Sequence, residues 1–364
     1  MLKEEYNNIC AFHPGYFFSD ILDELEMTQD EFAKRLGTTS KTVSLLLNGQ
    51  TPLSNDLAMK ASAMLGISVD TLLNLQKGYD KKRIEIARAK EMDEQIAIAK
   101  DIDYRYFVKN KFLPDVKTKE EEVTQLCSFL KVGNLRILLR KDLAADFRTT
   151  VETVTDKNII NANVWVQTAL NEGLAMDVAP FDQKKLKSYV GEMRAMSVQE
   201  SETFLPRLRE IFKECGVAFV ILPALKNCGV NGVVKWYNDK VVLALNDRFK
   251  YEDSFWLSLF HEIKHVLQKK RTKVLVSSEE DLLGVDRELE DEADRYASVV
   301  LIPQGPYDAF LCEKGKCISK VDVTCFANRI GVHPGIVVGR LQRDERIPHS
   351  QMTDMRKRFS IDVG

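Results

Sequence analysis

The sequence predicts a mainly α protein with a small α+β part: a five-helix N-terminal domain over residues 13–78, a helical connector over 79–201, and a C-terminal domain with a small antiparallel sheet over 202–364. Three observations carry this. Residues 16–77 hold short apolar runs at helical spacing, each closed by a stop signal; residues 79–110 are charged and poor in helix breakers; residues 217–245 carry strand-like alternation. A length of 364 residues fits two or three domains at roughly 100–200 residues each.

Taken in order, Phe17, Ile21, Leu22 and Leu25 mark the first helix. Thr28 with Glu31 three positions on reads as a capping box, opening a second helix that buries Phe32, Ala33 and Leu36 and stops at Gly37. Thr39 or Ser40 caps a third, with Val43, Leu46 and Leu47 inward, until Asn48-Gly49. Ser54–Leu65 and Ser68–Leu75 complete the five before Gly78. Beyond the charged stretch, helices are expected over Lys119–Lys131, between about Asp142 and Arg194, and in FLPRLREIFKECG. VAFVILP then reads as a strand and VNGVVKWYNDKVVLAL as a hairpin turning at Asn238-Asp239, followed by a helix Asp253–Gln268.

Composition narrows the class. An apolar share of 45% and a charged share of 29% are ordinary for a folded soluble domain. No apolar run approaches the roughly 20 residues of a membrane helix, and no secretory leader is visible, so a cytoplasmic location is expected. Seven scattered cysteines read as reduced thiols; Cys312 and Cys317 lack the two further ligands a metal would need. A net charge of -2 excludes coating of nucleic acid by bulk charge, so any DNA contact is local.

The strongest chemical signal is HEIKH. His261 and His265 lie one helical turn apart on one face, so both imidazoles can reach one ion, and Glu262 between them stands where a general base acts on water. Hydrolytic zinc takes three protein ligands and keeps a fourth position open. Downstream, ELEDEAD places Glu290 and Asp294 one turn apart: Glu290 is the expected third ligand and Asp294 the acceptor of a ligand ring N–H. Glu292 lies about 200° around that helix and is the fallback ligand.

The stretches DSFWLSLFHEIKH, EDEADRYASVVLIP and GVHPGIVVGRLQ resemble the ImmA/IrrE metallopeptidase family, a gluzincin-like group. The resemblance implies zinc held by His261, His265 and Glu290, water activated by Glu262, and hydrolysis of a peptide bond in a regulatory protein, either a repressor, a partner or the chain itself. That family usually carries glycine before the second histidine. Lys264 stands there instead and brings a cation toward the metal, which bears on catalysis more than on metal binding. An extended substrate is expected to pair with the hairpin edge around Val230–Val242. His333 either lines the cleft or simply forms a turn with Pro334.

TQDEFAKRLGTTSKTVSLLLNG fits a helix-turn-helix, whose second helix enters the major groove. Ser40, Lys41, Thr42 and Ser44 would face DNA, and Lys34 and Arg35 would add phosphate contacts. Residues 13–77 hold five Lys or Arg against eight Asp or Glu, so binding is expected to be salt-sensitive and to need a homodimer. On residues alone, a helical protein-interaction module competes with this reading. From His13 to about Gln76 the sequence is similar to HigA-type antitoxins of the Xre helix-turn-helix group, with a lambda-repressor-like fold; the similarity implies operator DNA and a toxin as partners. The reading that results is an antitoxin-type regulator with a zinc endopeptidase domain. Its alternative is a non-catalytic antitoxin whose metal domain is structural or sensory.

Overall fold

The computed structural model describes residues 2–141, 143, 155–238, 240–246, 251–268, 275–278, 287–315 and 317–359. By compactness the chain forms two units, Met1–Ala97 and Ile98–Gly364, whereas the sequence places its boundaries at 78 and 201. Among the described residues no helix is long and apolar enough to cross a membrane.

The first unit opens with an element the sequence reading lacks. Strands β1 (Lys3–Tyr6) and β2 (Ile9–Phe12) pair antiparallel, with Tyr6 opposite Ile9. Asn7 and Asn8 join them at φ 45° and 63°, the left-handed pair that a tight hairpin turn requires. Asn-Asn is a weaker hairpin signal than Asn-Gly, and four-residue strands show too little alternation to read.

Five helices follow: α1 (Pro14–Glu24), α2 (Gln29–Arg35), α3 (Ser40–Leu47), α4 (Asn55–Leu65) and α5 (Val69–Ala99). Thr28, Thr39 and Ser54 each accept the N–H three residues on, which satisfies donors a helix start leaves open. Only half of the expected box at Thr28 forms, because the Glu31 carboxylate pairs with Arg35 at 2.6 Å. At α1, His13 Nδ1 accepts from Gly15 N at 2.9 Å, and a Cβ on Gly15 would stand 2.0 Å from the Leu46 carbonyl oxygen. His-Pro-Gly therefore fixes a cap and a close approach of α1 to α3. Phe18, Phe32, Val43, Leu46, Leu57 and Leu72 form the core.

The expected stop before Gly78 does not occur; α5 runs through it. A glycine inside a helix costs only about 1 kcal/mol. Tyr79 and Ile86 offset it by packing against Ala11, Tyr6 and Ile9 of the hairpin, while Tyr6 donates to Asp93 at 2.6 Å.

In the second unit come α6 (Tyr104–Lys109), α7 (Lys119–Leu130), α8 (Asp156–Ala175), α9 (Gln183–Ala195) and α10 (Ser201–Glu214). Then follow β3 (Val217–Leu222), β4 (Val230–Tyr237), β5 (Lys240–Asn246), α11 (Glu252–Gln268) and β6 (Leu275–Ser278). The chain continues with α12 (Arg287–Leu301), α13 (Gln304–Lys314), α14 (Lys320–Ile330) and α15 (Pro334–Arg343).

The expected antiparallel sheet is corrected to a mixed one of order β3-β5-β4-β6, with β3 parallel to β5 and the other pairs antiparallel. A parallel pair needs a crossover, and the hairpin supplies it by placing β4 outside β5. β3 pairs along β5 and β6 pairs with Val230–Val234 of β4, so most of the substrate edge expected at Val230–Val242 is taken up within the sheet; β3 and β6 form the outer strands. Asn238 turns the hairpin at φ 52°, while its expected partner Asp239 lies outside the described residues.

Alternation sorts the two faces of the sheet. Val217, Phe219, Val234, Trp236, Val241 and Leu243 join α10 and α11 in one core. Val242, one position out of phase, packs toward α8, where a Cβ on Gly173 would meet its side chain at 2.5 Å. Sheet and core thus present α11 with one face toward β4 and another toward α12.

Candidate metal centre and nucleic-acid interface

Helix α11 buries its chemistry. His261 is 8% exposed, Glu262 1% and His265 0%, held in place by Trp256, Leu259, Phe260, Ile263 and Val266. Across from it, α12 brings Glu290. Its Oε2 lies 3.0 Å from His261 Nε2, its Oε1 lies 3.0 Å from His265 Nε2, and the two Nε2 atoms are 2.9 Å apart. One ligand atom from each residue falls within 4.8 Å of the others.

The outer ring nitrogens decide which atoms can ligate. His261 Nδ1 meets Asp294 Oδ1 at 2.8 Å and His265 Nδ1 meets Gln268 Oε1 at 2.9 Å, and both partners accept a proton. With Nδ1–H spent on these acceptors, each neutral imidazole presents its Nε2 lone pair inward. Two imidazole nitrogens and one carboxylate are the donor set of a catalytic zinc site, so the residues fit the ion. Asp294 takes the position the sequence assigns it.

Glu292 is not brought to the triad. It accepts from Lys264 at 2.8 Å and from Gln268 Nε2 at 2.8 Å. Lys264 also lies over the Tyr296 ring at 5.6 Å, so the cation beside His265 in sequence is turned to a carboxylate and an aromatic face. His333 is a cap: its Nδ1 accepts from Gly335 N at 3.1 Å, repeating at α15 the His-Pro-Gly device of α1.

Electrostatics follow from this packing. Burial opposes a charge on His261, but hydrogen bonds to Asp294 and Glu290 outweigh it and push its pKa up to about 10. His265 is raised in the same way, against burial, chiefly by Glu290. Burial would raise Glu290, yet its bonds to both histidines carry it down to about 2.

One participant was not singled out from sequence. Gly232 of β4 faces α11, and a Cβ there would stand 2.3 Å from Glu262 Oε1. An isolated glycine inside a strand is the available signal, marking a close approach. We expect Gly232→Ala to cost about 1–3 kcal/mol by overpacking. Glu262→Ala should recover most of that loss when combined with it, and urea unfolding of the four variants measures the coupling; strict additivity would refute the contact.

The helix-turn-helix face is built from α2 and α3. Lys34, Arg35, Ser40 and Lys41 are exposed, and Thr42 and Ser44 half-buried. Thr42 Oγ1 lies 2.9 Å from the capping Thr39 Oγ1 and Arg35 is engaged by Glu31; Ser40 and Lys41 are exposed at the N-terminal end of α3 and Lys34 is exposed on α2.

Comparison with known proteins finds a helix-turn-helix family match over residues 19–72. The uncharacterized HTH-type transcriptional regulator YddM of Escherichia coli (strain K12) is 31% identical over 86 residues, which is 22% of this chain and 92% of that protein. Two solved structures align over 23% of the chain. One, described as an antidote protein of a plasmid maintenance system from Nostoc punctiforme, is 31% identical, 92% covered, with a TM-score of 0.23. The other, an addiction module antidote protein of a HigA family from Coxiella burnetii, is 28% identical, 91% covered, with a TM-score of 0.22.

Proposed function

The chain belongs, through residues 19–72, to the helix-turn-helix family, and from that premise we propose that it is an antitoxin-type DNA-binding regulator carrying a zinc-dependent endopeptidase domain. Operator DNA is its first partner, a toxin or a regulatory protein its second, and a homodimer its working form on a palindromic site. The observation that carries the DNA half is α3, capped by Thr39, with Ser40 and Lys41 exposed at the end that a recognition helix turns to base edges.

Lys41→Glu is expected to lower affinity for the DNA upstream of the chain's own gene about tenfold and to flatten its salt slope by about one. Footprinting across a salt series measures both. Undiminished occupancy would leave the domain as a protein-interaction module.

What supports the enzymatic half is the convergence of His261, His265 and Glu290 around one point, with the Glu262 charge acting on both histidines. Zinc bound there supplies Lewis acidity and makes water a nucleophile at neutral pH. The chain does the rest. Asp294 and Gln268 hold the ring protons outward, and Glu262 takes a proton at its carboxylate and returns it to the leaving amine. Lys264 is paired with Glu292.

A second reading has an observation of its own in its favour: Glu262 is 1% exposed and closed in by Gly232. A base so enclosed suits a structural or sensory metal domain on a non-catalytic antitoxin.

A further inference from the structure

A cavity of about 300 Å³ opens between α11, α12, α15 and the segment 349–356. That volume is at the low end for small-molecule sites, about 300–1,000 Å³. None of His261, Glu262, His265 or Glu290 lines it, so it is separate from the metal centre. Its walls combine Leu257, Leu301 and Ile336 with three guanidinium groups, Arg340, Arg343 and Arg356.

The charges do not balance. Arg356 is clamped to Asp253, with NH2 2.8 Å from Oδ2, and Arg340 Nε lies 2.7 Å from Asp344 Oδ2. Arg343 donates to the Ser298 hydroxyl at 2.6 Å, and among the described residues no carboxylate stands at ion-pair distance from it. Its side chain is open to solvent, yet burial around the head lowers its pKa and the neighbouring Arg340 lowers it further, while Asp344 and Asp294 attract it from longer range. Arg340 meanwhile keeps one buried nitrogen, NH1, with no acceptor. An exposed guanidinium with no carboxylate, next to a half-buried one that keeps an unfilled N–H, against an apolar wall, is an arrangement an anion completes, because the acceptor fills the buried donor and matches the free charge.

We propose that this cavity is a binding site for a small monocarboxylate with an apolar body, its carboxylate on Arg343 and Arg340 and its body on Leu257, Leu301 and Ile336. The one surplus positive charge matches a monoanion better than a phosphate dianion, and the planar fork of arginine matches a carboxylate. Such a ligand touches both helices of the metal centre. Leu257 lies one turn before His261 on α11, and Ser298, which donates to the Asp294 carbonyl at 2.7 Å, lies one turn beyond Asp294 on α12.

The site stands whether or not the chain hydrolyses peptides or binds DNA, and its test uses neither activity. Benzoate and inorganic phosphate are titrated into the full-length protein at matched ionic strength by isothermal calorimetry. Saturable benzoate binding is expected, at least about tenfold tighter than phosphate, and weakened about tenfold or more in Arg343→Gln, as for loss of a charge-assisted bond. Arg343→Gln should leave the melting temperature of the ligand-free protein in place, and Arg343→Lys should recover part of the affinity. Benzoate that does not saturate, that binds Arg343→Gln equally well, or that is matched by phosphate overturns the proposal.

Discussion

Protein carrying Glu290→Gln is expected to lose its zinc, with affinity at least about 100-fold below that of the unaltered chain. Alterations one shell further out lower metal affinity by about 10–100-fold, and Glu290 offers its own oxygens to the point where both Nε2 atoms converge. Its amide replacement keeps the size and discards the charge. Metal content by mass spectrometry, with competition against a chromogenic chelator, gives the number. Retention of stoichiometric zinc by Glu290→Gln would dismiss the triad, and Glu292→Gln, whose side chain faces Lys264 and Gln268, serves as the control that keeps it.

The same experiment has a pH arm with a definite sign. Metal and protons compete for the two Nε2 atoms, and His261 without metal holds its proton up to about pH 10. Zinc uptake should therefore release protons, and apparent affinity should climb as pH rises across the neutral range. For the chelated protein the signs differ. The raised His261 stabilises it fully below its ordinary value of 6.5, and that contribution is lost as pH rises through about 10; His265 is raised in the same direction. Glu290 stabilises it fully above its ordinary 4.5, and that contribution is lost as pH falls through about 2. The cluster accordingly contributes most between pH 4.5 and 6.5 in the absence of metal.

Glu262→Gln is expected to do the reverse: zinc stays and hydrolysis falls by about 100- to 10,000-fold, the usual contribution of a positioned general base. Glu262 is isosteric with its replacement and lies against Gly232, so packing is preserved. The readout is the length of the chain itself and of its cellular proteome, compared between the two proteins. Identical proteomes with zinc retained would establish the structural or sensory reading of the domain.

How much of this was legible beforehand depends on the range over which each signal acts. The caps at Thr28, Thr39 and Ser54, the spacing of His261 and His265, and the turn from Glu290 to Asp294 are local, and they are where the sequence places them. The misreadings involve partners far away in the chain. Gly78 ends a helix in isolation but not when Tyr79 and Ile86 have a hairpin to pack on. The sheet looks antiparallel from its one visible hairpin, and only β3 joining β5 makes it mixed. The partner of Lys264 is likewise unreadable, since Glu292 lies on another helix. No pattern announces Gln268 at all, since a glutamine at a helix end has many ordinary uses.

Gln268 nevertheless shapes how the centre would be filled. Its amide joins the two helices: the oxygen meets His265 Nδ1 at 2.9 Å, and the nitrogen reaches Glu292 at 2.8 Å and the Leu289 carbonyl at 3.1 Å. Together with the Lys264–Glu292 and His261–Asp294 bonds, it stitches α11 to α12. A change at Gln268 would therefore loosen the orientation of the His265 ring and the seam between the two helices together.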